Sequence, residues 1–228
     1  MATSGTYDFT FEVPELIDAA FELSGMEGAR TANDLRKARR HLNMILKEWQ
    51  SDTINLWAME LTSQALTAST ESYTLSASTV DIFDAYITRD SKDYVCERLS
   101  LVAYNDIVDK TTEGRPFNFV LTKGISQPTL LVWPSPENST DVFWYWRIRK
   151  LQDVGAYANT LDVPSEFLAA LTWGLAWHLA MSRANPSQTE IGRVAMLKAK
   201  YDQTYQLAKD GNRENADVQI KPDLTAYR

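Results

Sequence analysis

The spacing of apolar residues predicts two helices near the start of the chain. Pro14 suits the first turn of a helix and Gly25 suits its end, with apolar residues at helical spacing between them. A second helix is predicted to open at Thr31, because Thr31 and Asp34 resemble a capping box. Apolar residues then follow at intervals of three and four residues as far as Trp49, which is typical of an amphipathic helix.

Two further helices are predicted near the C-terminus. The segment 167–181 carries no charge unless His178 is protonated, and its leucines form one stripe, which favours a helix buried on nearly all sides. It is short for a membrane span, so no membrane contact is expected. A final amphipathic helix is predicted to begin near Ser187 and to stop at Gly211. The polar residues 213–228 have few apolar anchors and are predicted to form an extended tail that docks on a partner.

The middle of the chain changes to the two-residue period of β-strands. Short apolar runs are separated there by clusters of Ser, Thr, Asp, Gly and Pro, as in antiparallel sheets. One short helix is predicted at Leu101–Val108. The predicted strands are Leu56–Leu66, Tyr73–Leu75, Ile82–Thr88, Phe117–Leu121, Thr129–Trp133 and Val142–Ile148.

Together these elements predict an α+β fold. Its helical bundle is built from the N- and C-terminal helices, with an inserted antiparallel β domain and an extended C-terminal tail. The predicted parts are residues 1–56 (N-terminal helices), 57–150 (antiparallel β domain), 151–212 (C-terminal helices) and 213–228 (docking tail).

The last predicted strand lies in the most aromatic part of the chain. The stretch 130–150 holds three of the seven tryptophans and is broken by two prolines. Alternation along the strand creates two faces, of which one is predicted to be core and the other mixed. A mixed face suits an intersubunit contact or a cover of helices, because aromatic residues and arginine are enriched at interfaces. The first face carries Val142, Trp144, Trp146 and Ile148, and the second carries Phe143, Tyr145, Arg147 and Arg149.

The charge of the chain limits the kinds of partner that it suits. A formal net charge of -7 argues against broad nucleic-acid binding through the phosphate backbone. The second helix departs from this balance because it carries a basic face. We interpret that face either as a solvated surface or as a patch that meets a partner or DNA. Its residues are Arg36, Lys37, Arg39, Arg40 and Lys47.

Cysteine and histidine are too few for the common metal and nucleophile sites. Cys96 has no second cysteine for a disulfide, and with only two histidines it cannot complete a structural zinc site. We interpret His41 as a helix-face residue and His178 as a core residue with one satisfied nitrogen, because no nucleophile motif lies near either. The amino terminus lacks the pattern of a secretory signal, so synthesis in the cytoplasm without export is expected.

Two other patterns are weak as signs of chemistry. Gly25 and Gly28 lack the preceding strand and the following Lys-Ser/Thr of a phosphate loop, so they are predicted to mark a helix end and a turn. Two carboxylate pairs have a spacing that is common on solvated faces: Asp81 with Asp84, and Asp106 with Asp109. No catalytic residue, cofactor or metal ligand is predicted, and the chain is predicted not to be an enzyme.

The order of elements along nearly the whole chain resembles one family of virion proteins, although each motif is weak by itself. The motifs are, in order, Leu46-x-x-Trp49, Tyr73-Thr-Leu, Val80-Asp-Ile, Gly114-Arg-Pro, Val132-Trp-Pro-Ser-Pro, an aromatic strand ending at Arg147, and Val163-Pro-Ser-Glu. In this order they resemble the head-to-tail connectors (adaptor or tail tubular protein A-like) of short-tailed bacteriophages.

The resemblance implies a structural role in the virion neck, between capsid and tail. It implies a twelve-subunit ring beneath the portal protein, which extends the channel for double-stranded DNA without reading its sequence and offers the tail nozzle protein a docking surface. A weakly repulsive acidic wall agrees with this role, because it lets DNA slide. The alternatives left open are a carbohydrate-binding or other interaction module that uses the aromatic β face, and a cell-wall hydrolase.

The resemblance also implies roles for particular residues. The basic face of the second helix is expected to meet the portal or DNA, and Arg147 and Arg149 are expected to be contact residues on the tail side, with the neighbouring tryptophans mainly in the core. The expected portal-binding residues lie in the tail: Asp217, Val218, Ile220, Lys221, Pro222, Asp223, Leu224, Tyr227 and Arg228.

Overall fold

The computed structural model describes residues 12–26, 28, 30–52, 56–155, 160–183 and 187–212, with helices at both ends and strands between them. The helices are α1 (Val13–Ser24), α2 (Ala32–Asp52), α3 (Leu101–Asn105), α4 (Leu168–Met181) and α5 (Gln188–Gly211). The strands are β1 (Met59–Ala65), β2 (Ser72–Thr74), β3 (Thr79–Arg89), β4 (Lys92–Val95), β5 (Glu97–Arg98), β6 (Glu113–Gly114), β7 (Asn118–Thr122), β8 (Thr129–Trp133), β9 (Ser135–Pro136) and β10 (Val142–Arg149). The predicted α+β class is confirmed.

The helices begin and end where the sequence places their capping residues. Gly25 adopts a left-handed conformation at the end of α1 (φ 75°), which glycine reaches without a steric penalty. At the start of α2, Thr31 Oγ1 accepts a hydrogen bond from the Asp34 N–H, and Asp34 Oδ2 accepts one from the Thr31 N–H. A second capping box, Ser187 with Glu190, opens α5.

Helix α4 is the centre of the bundle and packs against α1, α2 and α5. This position explains its nearly uncharged sequence, because Leu171, Leu175 and Ala176 are fully buried. The prediction of a buried helix is therefore confirmed. No helix within the described ranges combines the length and hydropathy that a membrane crossing needs.

Eight of the ten described strands form two four-stranded sheets that share one hydrophobic cluster, and β6 and β9 form a separate two-stranded sheet. The first sheet has the order β1-β10-β3-β4 and the second has the order β2-β8-β7-β5. Phe143 of the first sheet meets Phe119 of the second at a ring distance of 5.6 Å, in an edge-to-face arrangement. The ladders are antiparallel, except for two short parallel pairs, β5 with β7 and β6 with β9.

The predicted face of β10 is wrong, although the alternation is right. Phe143 and Tyr145 are buried at 0% and 2% exposure, whereas Trp146 is 41% exposed and Trp144 is only half-buried. Both faces of this strand are aromatic, so alternation alone cannot choose between them. The face with two arginines is the inner one because ion pairs satisfy their guanidinium groups, as described below.

The remaining differences concern the ends of two elements and the hydrophobic cluster to which Ala58 belongs. The helix predicted at 101–108 stops at Asn105, where Lys110 Nζ donates to the backbone carbonyls of Asn105 and Ile107. Residues 56–58, predicted as strand, form a 3-10 helix, and Ala58 lies in the bundle cluster instead of the sheet cluster. The division of the chain into four parts stays a prediction.

Candidate functional site

Residues 151–155, which we call the strap, follow β10 and run along one side of α2. Four α2 side chains hold the strap by its backbone, and their spacing of four, four and three residues places them on one helix face. Arg39 Nη1 donates a hydrogen bond to the Gly155 carbonyl (2.6 Å), and Lys47 Nζ donates one to the Leu151 carbonyl (3.1 Å). Asn43 Oδ1 accepts a hydrogen bond from the Val154 N–H (2.8 Å), and Gln50 Oε1 accepts one from the Leu151 N–H (3.2 Å). Lys47 also pairs with Asp153 at 2.8 Å.

The strap divides the predicted basic face of α2 into two groups. Arg39 and Lys47 hold the strap, so a partner protein or DNA would have to bind them in addition to these intramolecular bonds. The other three side chains are exposed and form no ion pair with any described residue. We call these three residues, Arg36, Lys37 and Arg40, the basic stripe.

The outer face of the first sheet carries a row of exposed and half-buried apolar side chains. Trp146 lies opposite Leu61, and Trp144 lies opposite Tyr86, which in turn lies opposite Val95. The Tyr86 and Trp144 rings are nearly parallel, with centroids 6.5 Å apart. A β-bulge in β3 adds Phe83 to this face at 59% exposure. We call these residues, Leu61, Phe83, Tyr86, Val95, Trp144 and Trp146, the aromatic face.

The aromatic face is the main feature that sequence reasoning placed wrongly. The sequence shows that both sides of β10 carry aromatic residues, but it does not show which side is exposed. A large exposed apolar patch on a folded domain marks a site of contact with another molecule. The aromatic face is therefore the best candidate for an interaction surface of the sheet.

Arg147 and Arg149 lie on the opposite side of β10 and are largely buried, at 13% and 21% side-chain exposure. Arg147 Nε donates to Glu60 Oε1 at 2.7 Å and its Nη1 donates to Thr79 Oγ1 at 2.9 Å. Arg149 Nη2 donates to Asp162 Oδ1 at 2.7 Å, and this bond raises the pKa of Arg149. Both guanidinium groups therefore have partners within the chain, and their predicted contact with the tail stays a prediction.

The remaining candidate groups for chemistry do not converge on one place. Asp81 pairs with Arg98 and Lys123, whereas Asp109 accepts hydrogen bonds from Thr111. Burial raises the pKa of Cys96 to about 12, which leaves its thiol protonated. The described residues include no group of three or more His, Cys, Asp and Glu side chains placed to hold a metal ion.

The two histidines face each other between α2 and α4. Their ring centroids are 5.4 Å apart, and the Trp177 ring meets the His178 ring at an angle of 62° with centroids 4.7 Å apart. His41 Nδ1 and His178 Nε2 are buried without a hydrogen-bond partner among the described residues. Burial lowers the pKa of both; His178, Arg40 and Lys37 lower that of His41 further, whereas Glu48 opposes the shift at His178.

This pair predicts a loss of stability in mild acid. An unfolded chain takes up protons on both histidines below about pH 6.5, whereas the folded chain resists this, so the free energy of unfolding falls as the pH drops through that value. The expected slope is at most about 1.4 kcal/mol per pH unit for each histidine. Urea unfolding at several pH values above and below pH 6.5 measures it. A His178→Leu variant should show a smaller slope, and equal slopes in the two proteins would contradict the prediction.

The predicted portal-binding residues, Asp217 to Arg228, lie outside the described residues. Their role is a sequence-based expectation and the structure adds no geometry to it.

Comparison with known proteins identifies one family. The family model described as SU10 adaptor protein matches residues 12–222 of the chain, a range that contains every described helix and strand. No curated protein matches the sequence significantly.

Proposed function

The chain belongs to the SU10 adaptor protein family and is a phage head–tail adaptor, and we propose that it forms a ring beneath the portal of a short-tailed phage. In this proposal the ring extends the DNA channel and offers the tail nozzle its docking surface. The observation that carries the proposal is the family match over nearly the whole chain. The expected copy number is twelve, as the resemblance to connectors implies.

The architecture suits a part that connects two different partners. The bundle collects helices from both ends of the chain around α4, while the sheets form a second hydrophobic cluster of their own. The strap and the pair between Arg149 and Asp162 tie the last strand to the helical part of the chain. Two hydrophobic clusters joined in this way can present one surface to the portal and another to the nozzle.

The portal contact is assigned to the tail, and the basic stripe is left for a contact with the portal, DNA or another subunit. The tail residues 217–228 mix apolar side chains with polar and charged ones, which suits a segment that binds a partner surface, and the resemblance to connectors implies that this partner is the portal. Of the predicted basic face, only the basic stripe neither forms an ion pair with a described residue nor holds the strap, so it is available for a contact with the portal, DNA or another subunit. The net charge of -7 suits a channel part that does not hold DNA tightly.

The nozzle contact is assigned to the aromatic face. Its exposed indole and phenyl groups are the residue types that contribute most to binding at protein interfaces. A second candidate function, carbohydrate binding, is favoured by the stacked Tyr86 and Trp144 rings on this face. Titration with cell-wall glycans separates the two, because only the carbohydrate candidate predicts saturable binding that a Trp146→Ala variant loses.

The ring proposal predicts binding of the chain to purified portal rings. Electron micrographs of a mixture with the cognate portal should show one added ring of twelve copies. Leu224→Asp with Tyr227→Ala should reduce this occupancy strongly, whereas the exposed change Lys92→Ala should leave it unchanged. A folded chain that never associates with the portal would contradict the proposal.

A further inference from the structure

A row of acidic side chains covers the outer face of α1. Glu15, Asp18 and Glu22 are exposed, and their spacing of three and four residues places them on one side of the helix. The opposite side carries the buried residues of α1, including Leu16 and Ala20. We call Glu15, Asp18 and Glu22 the acidic stripe.

Most of the acidic stripe has no cation to pair with among the described residues. Glu15 and Glu22 form no ion pair with that part of the chain, and Asp18 has only a 3.5 Å contact with Arg30. The basic stripe on α2 is equally free, as described above. The chain therefore presents two exposed surfaces of opposite charge, each on a different helix of the bundle.

The two stripes lie near the same end of the bundle. Residues from the end of α1 and the start of α2 line one pocket together with the end of α4 and the start of α5: Phe21, Gly25, Asp34, Lys37, Leu179 and Arg193. A helix rises about 1.5 Å per residue, so Arg40 lies within about 15 Å of the start of α2. Glu15 lies within a similar distance of the end of α1. Both stripes therefore lie within about 15 Å of this end of the bundle.

A closed ring needs two such surfaces on each subunit. In a heterologous contact, one surface of a subunit meets a different surface of its neighbour, and the same contact repeats until the ring closes. Two like stripes repel each other, whereas an acidic stripe against a basic stripe attracts and fixes the orientation of approach. Because both surfaces lie near the same end of the bundle, they can meet without a large shift of one copy along the bundle axis.

We infer that the acidic stripe of one copy contacts the basic stripe of the next copy in the ring. This inference rests on the ring that is proposed above, and it assigns the basic stripe to a second copy of the chain instead of the portal or DNA. Each exposed pair adds little energy by itself, so the stripes select the partner surface and the direction of the ring, while apolar contacts supply the remaining affinity.

A charge-swap experiment tests the contact. One variant carries Arg36→Glu and Arg40→Glu, another carries Glu15→Lys and Glu22→Lys, and a third carries all four changes. Assembly is followed by mass photometry of the free chain and of the chain added to portal rings. Each double reversal should raise the concentration needed for assembly by roughly tenfold or more, whereas the fourfold variant should recover most of the loss.

A matched control separates this effect from a general change of charge. Lys92→Glu with Lys200→Glu makes the same change in net charge as the basic reversal, at exposed residues outside the stripes, and it should assemble like the unchanged chain. Circular dichroism confirms that each variant is folded. Added salt should weaken assembly of the unchanged chain, because exposed charge pairs are screened.

The outcomes distinguish the inference from the ring itself. Rings that are insensitive to both reversals, or a fourfold variant that fails to recover, would overturn the inference and leave the ring standing. Loss of portal binding by the basic reversal, with self-assembly unchanged, would return the basic stripe to the portal and also overturn it. An unchanged chain that stays monomeric both alone and with the portal would overturn the ring and the inference together.

Discussion

Replacing Arg89 with methionine is expected to lower the free energy of unfolding by about 3 to 5 kcal/mol. The carboxylate of Asp141 is fully buried, and Arg89 Nε donates to both of its oxygens at 2.9 Å. Arg89 also pairs with Glu137, and the hydrogen bonds to Asp141 are the main cause of its raised pKa. Methionine removes the cation and leaves a buried carboxylate without a charged partner among the described residues.

The measurement is unfolding in urea, with two comparison variants. Arg98→Met removes a guanidinium that is 43% exposed, so it should cost at most about 1 kcal/mol. A double variant, Arg89→Met with Asp141→Leu, should recover most of the lost stability, because a buried ion pair and an apolar pair of similar volume are often close in stability. Equal losses for Arg89→Met and Arg98→Met would show that burial of Asp141 does not matter.

This pair holds one end of the first sheet together. Arg89 ends β3, and Asp141 precedes β10, the neighbouring strand. The turn between β9 and β10 is fixed as well, because Asn138 Oδ1 accepts a hydrogen bond from the Asp141 N–H at 3.1 Å. Weakening the pair therefore acts on the sheet that carries the aromatic face, and the same variant should bind less well through that face.

The helices could be predicted from the sequence because each has a local signal. Apolar spacing identified α2 and α5, and the nearly uncharged run identified α4 as the buried centre of the bundle. Caps at Gly25 and Thr31 fixed the ends to within a residue or two. Local signals of this kind do not depend on how distant parts of the chain meet.

The orientation of β10 could not be predicted because it depends on a distant partner. Phe143 is buried by Phe119 of the second sheet, and the inner position of Arg147 depends on Glu60 of β1, which is far away in the sequence. A strand with aromatic residues on both faces has no local signal for its inner side. The sequence pattern therefore places the buried arginines at the surface and the exposed indoles in the core, which is the reverse of the structure.

The strap was missed for a related reason. Its hydrogen bonds join α2 side chains to backbone groups more than 100 positions away. Every residue has a backbone carbonyl, so the sequence does not show which one a distant side chain binds. The row of Arg39, Asn43, Lys47 and Gln50 was visible as a polar face, but solvent, DNA and a docked segment all suit such a face. Only the three-dimensional structure separates the residues that hold the strap from the basic stripe.

Two glycines within helices should respond in opposite directions to replacement by alanine. A Cβ atom at Gly174 would lie 2.9 Å from Tyr201 Cε2 and 3.5 Å from Ile45 Cδ1. The Tyr201 ring cannot easily move aside, because its hydroxyl accepts a hydrogen bond from Trp49 Nε1 at 2.9 Å and its faces stack on Trp177 and Tyr205. Gly174→Ala should therefore destabilise the bundle by about 1 to 3 kcal/mol, despite the better helix propensity of alanine.

Gly192 is the matched control for this prediction, because it lies in α5 and a Cβ atom there would meet no described atom within 4 Å. Gly192→Ala should stabilise the chain by roughly 0.5 to 1 kcal/mol, since only the conformational freedom of the unfolded chain changes. Thermal and urea unfolding of the two variants measure both effects. If Gly174→Ala also stabilises the chain, α4 and α5 do not approach as closely as described, and the bundle that supports both stripes has a different packing.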